Sequence, residues 1–155
     1  MDLTDLKKRY AVLEKKYKLP DFKELNENFE IEKIRKGQET LLRTIRKTMM
    51  EKIINSMGFI ETLINPINAP RIYLVYIKSM SSDDRKDIEK IYSSLSDLVI
   101  GSLGLEIDYE EEREAEMIKR IAKSWDSIKP LFRKIVKNMQ KPVSSSSSKE
   151  KSYFG

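Results

Sequence analysis

The sequence contains no cysteine and no histidine among its 155 residues. The absence of cysteine excludes disulfide bonds, thiolate zinc sites and cysteine nucleophiles. The absence of histidine excludes imidazole acid–base chemistry and the Ser-His-Asp triad. Glycine and proline occur only five times each, which is too few for the many tight turns of an all-β fold. The longest apolar runs, such as 72–77, are far shorter than the ~20 residues that cross a membrane.

The remaining composition is that of one globular domain. Charged residues make up 35% and hydrophobic residues 39%, and 30 basic against 25 acidic side chains leave a formal charge of +5. The segment from Met1 to Arg9 has no apolar run of the kind found in secretory signal peptides. Together with the missing cysteine, this favours a cytoplasmic protein without a membrane segment.

Apolar residues recur at steps of three and four along most of the chain, which predicts amphipathic helices. In the first helix they are Leu3, Leu6, Tyr10, Leu13 and Tyr17. Pro20 ends this pattern, and Asp21, three residues before Glu24, predicts the N-cap of a short second helix over 22–28. An eleven-residue spacing that links Ile31, Leu42, Ile53 and Ile64 predicts one long helix over 31–64, with a break expected at Gly37 or Gly58.

The second half of the chain also has a helical pattern. Segment 71–80 is rich in β-branched and aromatic residues, but it has no partner strand, so we expect a short buried helix. Ser81 or Ser82 caps the next helix, whose inner face is Ile88, Ile91, Leu95 and Leu98 and which Gly101 and Gly104 should interrupt. Asp108 is the expected cap of the last helix, and Pro130 should kink that helix near Asp126. Its apolar stripe is Ile118, Ile121, Trp125, Ile128, Phe132, Ile135 and Met139.

The predicted fold is therefore all-α: a single bundle of about five or six helices packed around one long central helix. Residues 1–140 form the helical domain. Residues 141–155, with five consecutive serines, are predicted to be a flexible, disordered tail.

The sequence predicts no catalytic, cofactor-binding or metal-binding residue. It has no G-x-x-x-x-G-K-[ST] phosphate loop. Glu111 and Glu114 have the E-x-x-E spacing of some magnesium sites, but acidic residues at the start of a helix also match its dipole. The G-x-x-G string from Gly101 to Gly104 lacks basic neighbours, and a helix end or a close helix contact explains it.

Two surfaces remain as candidates for binding. The last helix carries a basic ridge opposite its apolar stripe, formed by Lys119, Lys123, Arg133, Lys134 and Lys137. This ridge is either a phosphate contact for nucleic acid or a solvated face that suits the helix dipole. The second candidate is the pair Tyr153 and Phe154 near the end of the tail. Exposed aromatics in a disordered segment are typical of a short docking motif, and the alternative is a tail that packs loosely or has no role.

The function that these features favour is a non-enzymatic interaction or scaffold module. It would bind another protein through its helix faces and through Tyr153 and Phe154. The alternative is a nucleic-acid-binding accessory protein that uses the basic ridge. Self-association into a homo-oligomer stays open at this stage.

Overall fold

The computed structural model describes residues 1–35 and 40–141, and within these ranges the chain is helical and contains no strand. The elements are α1 (Leu3–Tyr17), α2 (Phe22–Phe29), a 3-10 turn (Ile31–Lys33), α3 (Leu41–Ile64), α4 (Arg71–Ser79), α5 (Ser82–Ile107) and α6 (Glu111–Met139). The predicted all-α class is confirmed. The predicted tail falls almost wholly on 142–155, outside the described residues.

The bundle is built around α3, which packs along both α5 and α6, while α5 and α6 also pack on each other. Helix α1 packs against α2 and α6, and α2 packs against α3. Helix α4 contacts α6. One continuous apolar core fills the interior. Its fully buried centre includes Ile45, Met49 and Ile53 of α3, Leu95 of α5 and Ile121 of α6. This arrangement confirms the predicted bundle with a central helix.

Two predicted helix starts are confirmed by their caps. The Asp21 carboxylate accepts a hydrogen bond from the Glu24 amide at 2.8 Å, and α2 begins at Phe22. The Ser81 hydroxyl accepts from the Asp84 amide at 3.1 Å, and α5 begins at Ser82. Each side chain satisfies an amide that has no partner inside its own helix.

The predicted long helix over 31–64 is wrong at its start. Glu30 has a left-handed backbone (φ 53°) that ends α2, and Ile34 is extended (ψ 124°), so no single helix can contain both Ile31 and Leu42. The eleven-residue spacing predicted the helix start wrongly because Ile31 and Ile34 are buried without being part of α3. Ile31 lies on the 3-10 turn, and Ile34 follows it directly. Helix α3 has 24 residues and continues through Gly58. The expected break at Gly37 lies outside the described residues.

The expected interruption of α5 is also wrong. The helix passes Gly101 and Gly104 and ends at Ile107, so Asp108 follows the end of α5 instead of capping α6. Leu105 beyond the glycines is 5% exposed, and its burial offsets the weak helix preference of glycine. At Gly101 a methyl group would lie 2.9 Å from the Arg120 guanidinium, so this glycine permits close packing on α6.

Helices α4 and α6 follow their predictions in part. Segment 71–79 is a helix as expected, but it is not a buried one: only Tyr76 is buried, and Ile72 is 66% exposed. The apolar stripe of α6 faces the core, with Phe132 and Met139 half-buried at its end. Pro130 lies inside α6 without ending it, and the expected bend near Asp126 stays a prediction.

Candidate functional site

A groove of about 920 Å³ opens between the C-terminal end of α2, the following 3-10 turn, the middle of α3 and the last third of α6. Aromatic rings form its apolar wall. Phe59 and Phe132 both line it, with ring centroids 6.1 Å apart, and Trp125 lies behind Phe132 at 5.9 Å. We call it the aromatic groove. Its volume falls in the range of small-molecule sites in proteins.

Two lysines meet on Asn28, a residue in the last turn of α2 that lines the aromatic groove. Lys52 also lines the groove, and Lys129 reaches Asn28 from α6. The Lys52 ammonium donates a hydrogen bond to the backbone carbonyl of Asn28. The Lys129 ammonium donates to the Asn28 side-chain oxygen at 2.8 Å. Within the described residues neither lysine has a carboxylate within 4.0 Å, so two positive charges converge on one neutral residue.

The surroundings of Lys52 disfavour its charge. Its ammonium lies over two rings, 5.1 Å from the centroid of Trp125 and 5.8 Å from that of Phe29. Partial desolvation and the nearby Lys129 charge both lower the pKa of Lys52, and Glu30 raises it. The ring faces themselves attract the ammonium. The Trp125 indole N–H is buried and has no acceptor among the residues that the structure describes. Two ammonium groups and an indole N–H without an acceptor therefore lie close together beside the groove.

The five residues of the predicted basic ridge lie on α6, and four of them are exposed. Two are paired with carboxylates: Lys119 with Glu116 at 2.5 Å and Lys134 with Asp87 at 3.0 Å. The Asp87 hydrogen bond also raises the pKa of Lys134. The others, Lys123, Arg133 and Lys137, have no ion pair in the described part of the chain. Three of the five ridge residues are thus without an ion pair in the described ranges.

The other predicted contact, Tyr153 and Phe154, lies outside the described residues. The acidic cluster at the start of α6 is within them, and its members have separate partners. Glu111 accepts a hydrogen bond from the Tyr17 hydroxyl at 2.6 Å and pairs with Lys16 at 3.5 Å. In the ranges 1–35 and 40–141 no group of three or more carboxylates is placed to hold a metal ion.

Glu114 belongs instead to a buried ionic cluster that the sequence analysis missed. Its carboxylate accepts from the Arg46 guanidinium, and both side chains are at most 1% exposed. Arg46 also donates to Ser102 at 2.5 Å and to the partly exposed Glu106 at 2.8 Å. The cluster joins α3, α5 and α6. Burial alone lowers the pKa of Arg46, but the hydrogen bonds to Glu114 and Glu106 outweigh it and raise that pKa.

The sequence analysis also missed an apolar stripe on the outer face of α5. Ile100, Leu103 and Ile107 are 68%, 57% and 81% exposed, and their spacing of three and four places them on one side of the helix. We call them the α5 stripe. Gly104 lies among them and has open space where a Cβ would be. The sequence did contain the pattern that indicates this stripe. Ile100, Leu103 and Ile107 form a second set of apolar residues at helical spacing, beside the predicted inner face that ends at Leu98.

Comparisons with known protein families, with curated protein sequences and with solved structures gave no significant match to this chain. No helix in the described ranges is both long enough and apolar enough to cross a bilayer.

Proposed function

We propose that the protein is a non-enzymatic binding module that docks another protein on the α5 stripe. The observation that supports this proposal is the clustering of Ile100, Leu103 and Ile107, each more than half exposed, along two turns of one helix. Single exposed apolar residues are common on protein surfaces, whereas contiguous apolar patches mark interaction sites.

The expected partner surface is an amphipathic helix. Apolar anchors at i, i+3 and i+7 are the pattern by which one helix packs along another. The open space at Gly104 lets a partner side chain approach the α5 backbone between the anchors. Tyr109, just past the stripe, is 42% exposed and lies 6.0 Å from the Arg43 guanidinium. Tyrosine and arginine are enriched among the residues that dominate binding interfaces.

Co-purification from native cells tests the proposal, with stripe variants as the decisive comparison. We expect Ile100→Asp and Leu103→Asp to fold normally, because both side chains are exposed, and to lose a partner that binds the parent protein stoichiometrically. Val12→Asp is the matched control, since Val12 on α1 is 68% exposed, as Ile100 is. Retention of the partner by both stripe variants would contradict the proposal. Light scattering of the purified protein shows whether the partner is a second copy.

We propose the tail aromatics Tyr153 and Phe154 as a second contact for the same partner. Deletion of 142–155 should then weaken binding by a smaller factor than the stripe substitutions do. Equal affinity with and without the tail would restrict the interface to the helical domain. Cytoplasmic residence stays a proposal that rests on the composition.

Nucleic-acid binding by the basic ridge is the second candidate. It is favoured by the three ridge cations, Lys123, Arg133 and Lys137, that have no ion pair in the described ranges. It predicts retention on a heparin column that falls steeply with salt and is lost in Lys123→Glu/Arg133→Glu. Lys8→Glu/Lys15→Glu on α1 has the same change in net charge and should keep the retention. Equal loss in both double variants would indicate net charge alone.

A further inference from the structure

The meeting point of Lys52 and Lys129 has more positive charge and more donors than the protein itself uses. Each ammonium has three N–H donors, and the described structure assigns one from each to Asn28. The Trp125 indole N–H adds a donor without an acceptor. Lys52 is exposed and Lys129 is half-buried, so water reaches their remaining donors. The two like charges, close to a buried indole N–H without an acceptor, still favour a bound anion.

Capping of the α2 C-terminus explains the position of only one of the two lysines on Asn28. The last carbonyls of a helix lack intrahelical donors and its C-terminus attracts cations, so Lys52 on the Asn28 carbonyl is a reasonable cap. One cation is enough for that purpose. The second, Lys129, comes from a different helix and destabilises the charge of the first, since it lowers the pKa of Lys52. An anion bound between them would remove this repulsion.

The aromatic groove continues from this point with a mostly apolar wall. Phe59, Phe132 and Val136 line it, and Val136 is 41% exposed. Charged residues also line it. Of the acidic ones, Glu30 is paired with Lys33 at 2.9 Å, and Glu51 and Arg35 are both among the lining residues. The groove therefore offers an apolar surface with the two ammonium groups beside it.

We propose that the aromatic groove binds a small amphiphilic anion. Its carboxylate or phosphate head accepts hydrogen bonds from Lys52 and Lys129, and its apolar body lies against Phe59 and Phe132. The head displaces no internal ion pair, because the described residues place no carboxylate on either lysine. The two head groups share the same chemistry, and the ligands of the test distinguish them.

The single tryptophan of the chain reports on this site directly, since its ring lies 5.1 Å from the Lys52 ammonium. Octanoate and octyl phosphate, each below its micelle concentration, should change the Trp125 fluorescence with a saturable dependence on concentration. The better of the two identifies the head group. Octanol and inorganic phosphate each lack one half of the ligand and should bind at least about tenfold more weakly.

Lysine variants distinguish this site from general adsorption. Lys52→Met and Lys129→Met keep most of the apolar stem, and each should weaken binding of the better anion by at least about tenfold. Lys23→Met is the control, because Lys23 on α2 is exposed and the described residues give it one ion pair, a 3.9 Å contact with Glu27. Val136→Ser should weaken binding of the amphiphile and leave the weak binding of inorganic phosphate unchanged.

Three results would each overturn the proposal. One is the absence of saturable binding by either amphiphilic anion to the parent protein. Another is equal binding by octanol, which would indicate an apolar groove that does not select for charge. The third is equal affinity in both lysine variants and in Lys23→Met.

Discussion

Arg46 places a guanidinium inside the apolar core, where an ion left without its partner is costly. It is 1% exposed, and Glu114, Glu106 and Ser102 together accept its hydrogen bonds. A buried ion pair adds little stability over apolar residues of the same shape, but removing one partner leaves a buried charge uncompensated. We therefore expect the cluster to specify how α3, α5 and α6 pack together.

A double-mutant cycle tests this role. We expect Glu114→Leu to lower the free energy of unfolding by about 3–5 kcal/mol, because Arg46 then retains only the half-exposed Glu106 as a counter-charge. Arg46→Met combined with Glu114→Leu should recover most of this loss. Urea denaturation measures both. A loss below about 1 kcal/mol for Glu114→Leu would contradict the buried pair.

The pH dependence of stability tests the exposed arm of the cluster. The Arg46 hydrogen bond holds the pKa of Glu106 below its ordinary value. The stability that this carboxylate contributes is therefore present above its unfolded pKa, about 4.3, and is lost as the pH falls through the lower folded value. Between about pH 5 and pH 3, urea denaturation should show a steeper loss for the parent protein than for Glu106→Gln. Parallel curves would refute this.

The sequence pattern indicates that Arg46 and Glu114 are buried, but it does not indicate that they pair with each other. Arg46 continues the three-and-four spacing of Leu42, Met49 and Ile53, and Glu114 continues that of Ile118 on α6. A charge on an apolar stripe indicates a buried ion. Its partner could not be inferred, because the two residues are 68 positions apart and only the packing of α3 against α6 brings them together. Lys52 and Lys129 meet for the same reason.

At the scale of elements, the sequence predicted correctly the helix starts that a capping side chain determines. Helices α2 and α5 begin where Asp21 and Ser81 cap them. The prediction failed where tertiary burial decided the outcome. A 3-10 turn buries Ile31 as well as a helix would, and packing against α6 carries α5 through Gly101.

Helix α3 continues through Gly58 at a cost in stability that alanine would remove. A Cβ at this position meets no atom within 4 Å, and its backbone is not in the left-handed region. We therefore expect Gly58→Ala to stabilise the protein by roughly 1 kcal/mol, which is about 2–4 °C in Tm for a chain of this size.

Gly104→Ala, also with open space around it, is the matched control for α5 and should give a similar gain. Thermal unfolding followed by circular dichroism measures both. A decrease in Tm for Gly58→Ala would show that the helix needs glycine at that position.

At the scale of the whole molecule, the bundle leaves distinct surfaces on different helices. The α5 stripe is apolar, the aromatic groove is lined by α2, the 3-10 turn, α3 and α6, and the basic ridge follows α6. The sequence predicted the ridge because it lies on one helix. It could not predict the groove, whose residues come from three helices and the 3-10 turn and meet only in the folded chain.

Hydrogen–deuterium exchange of the protein with and without its captured partner tests the central claim, that the α5 stripe is the docking surface. Amides within a stable helix already exchange slowly, so the informative peptides are those at its less protected end. The account predicts that the partner slows exchange in peptides covering 97–109 and leaves peptides from α1 unchanged. Protection confined to α6, or no change in 97–109, would contradict it.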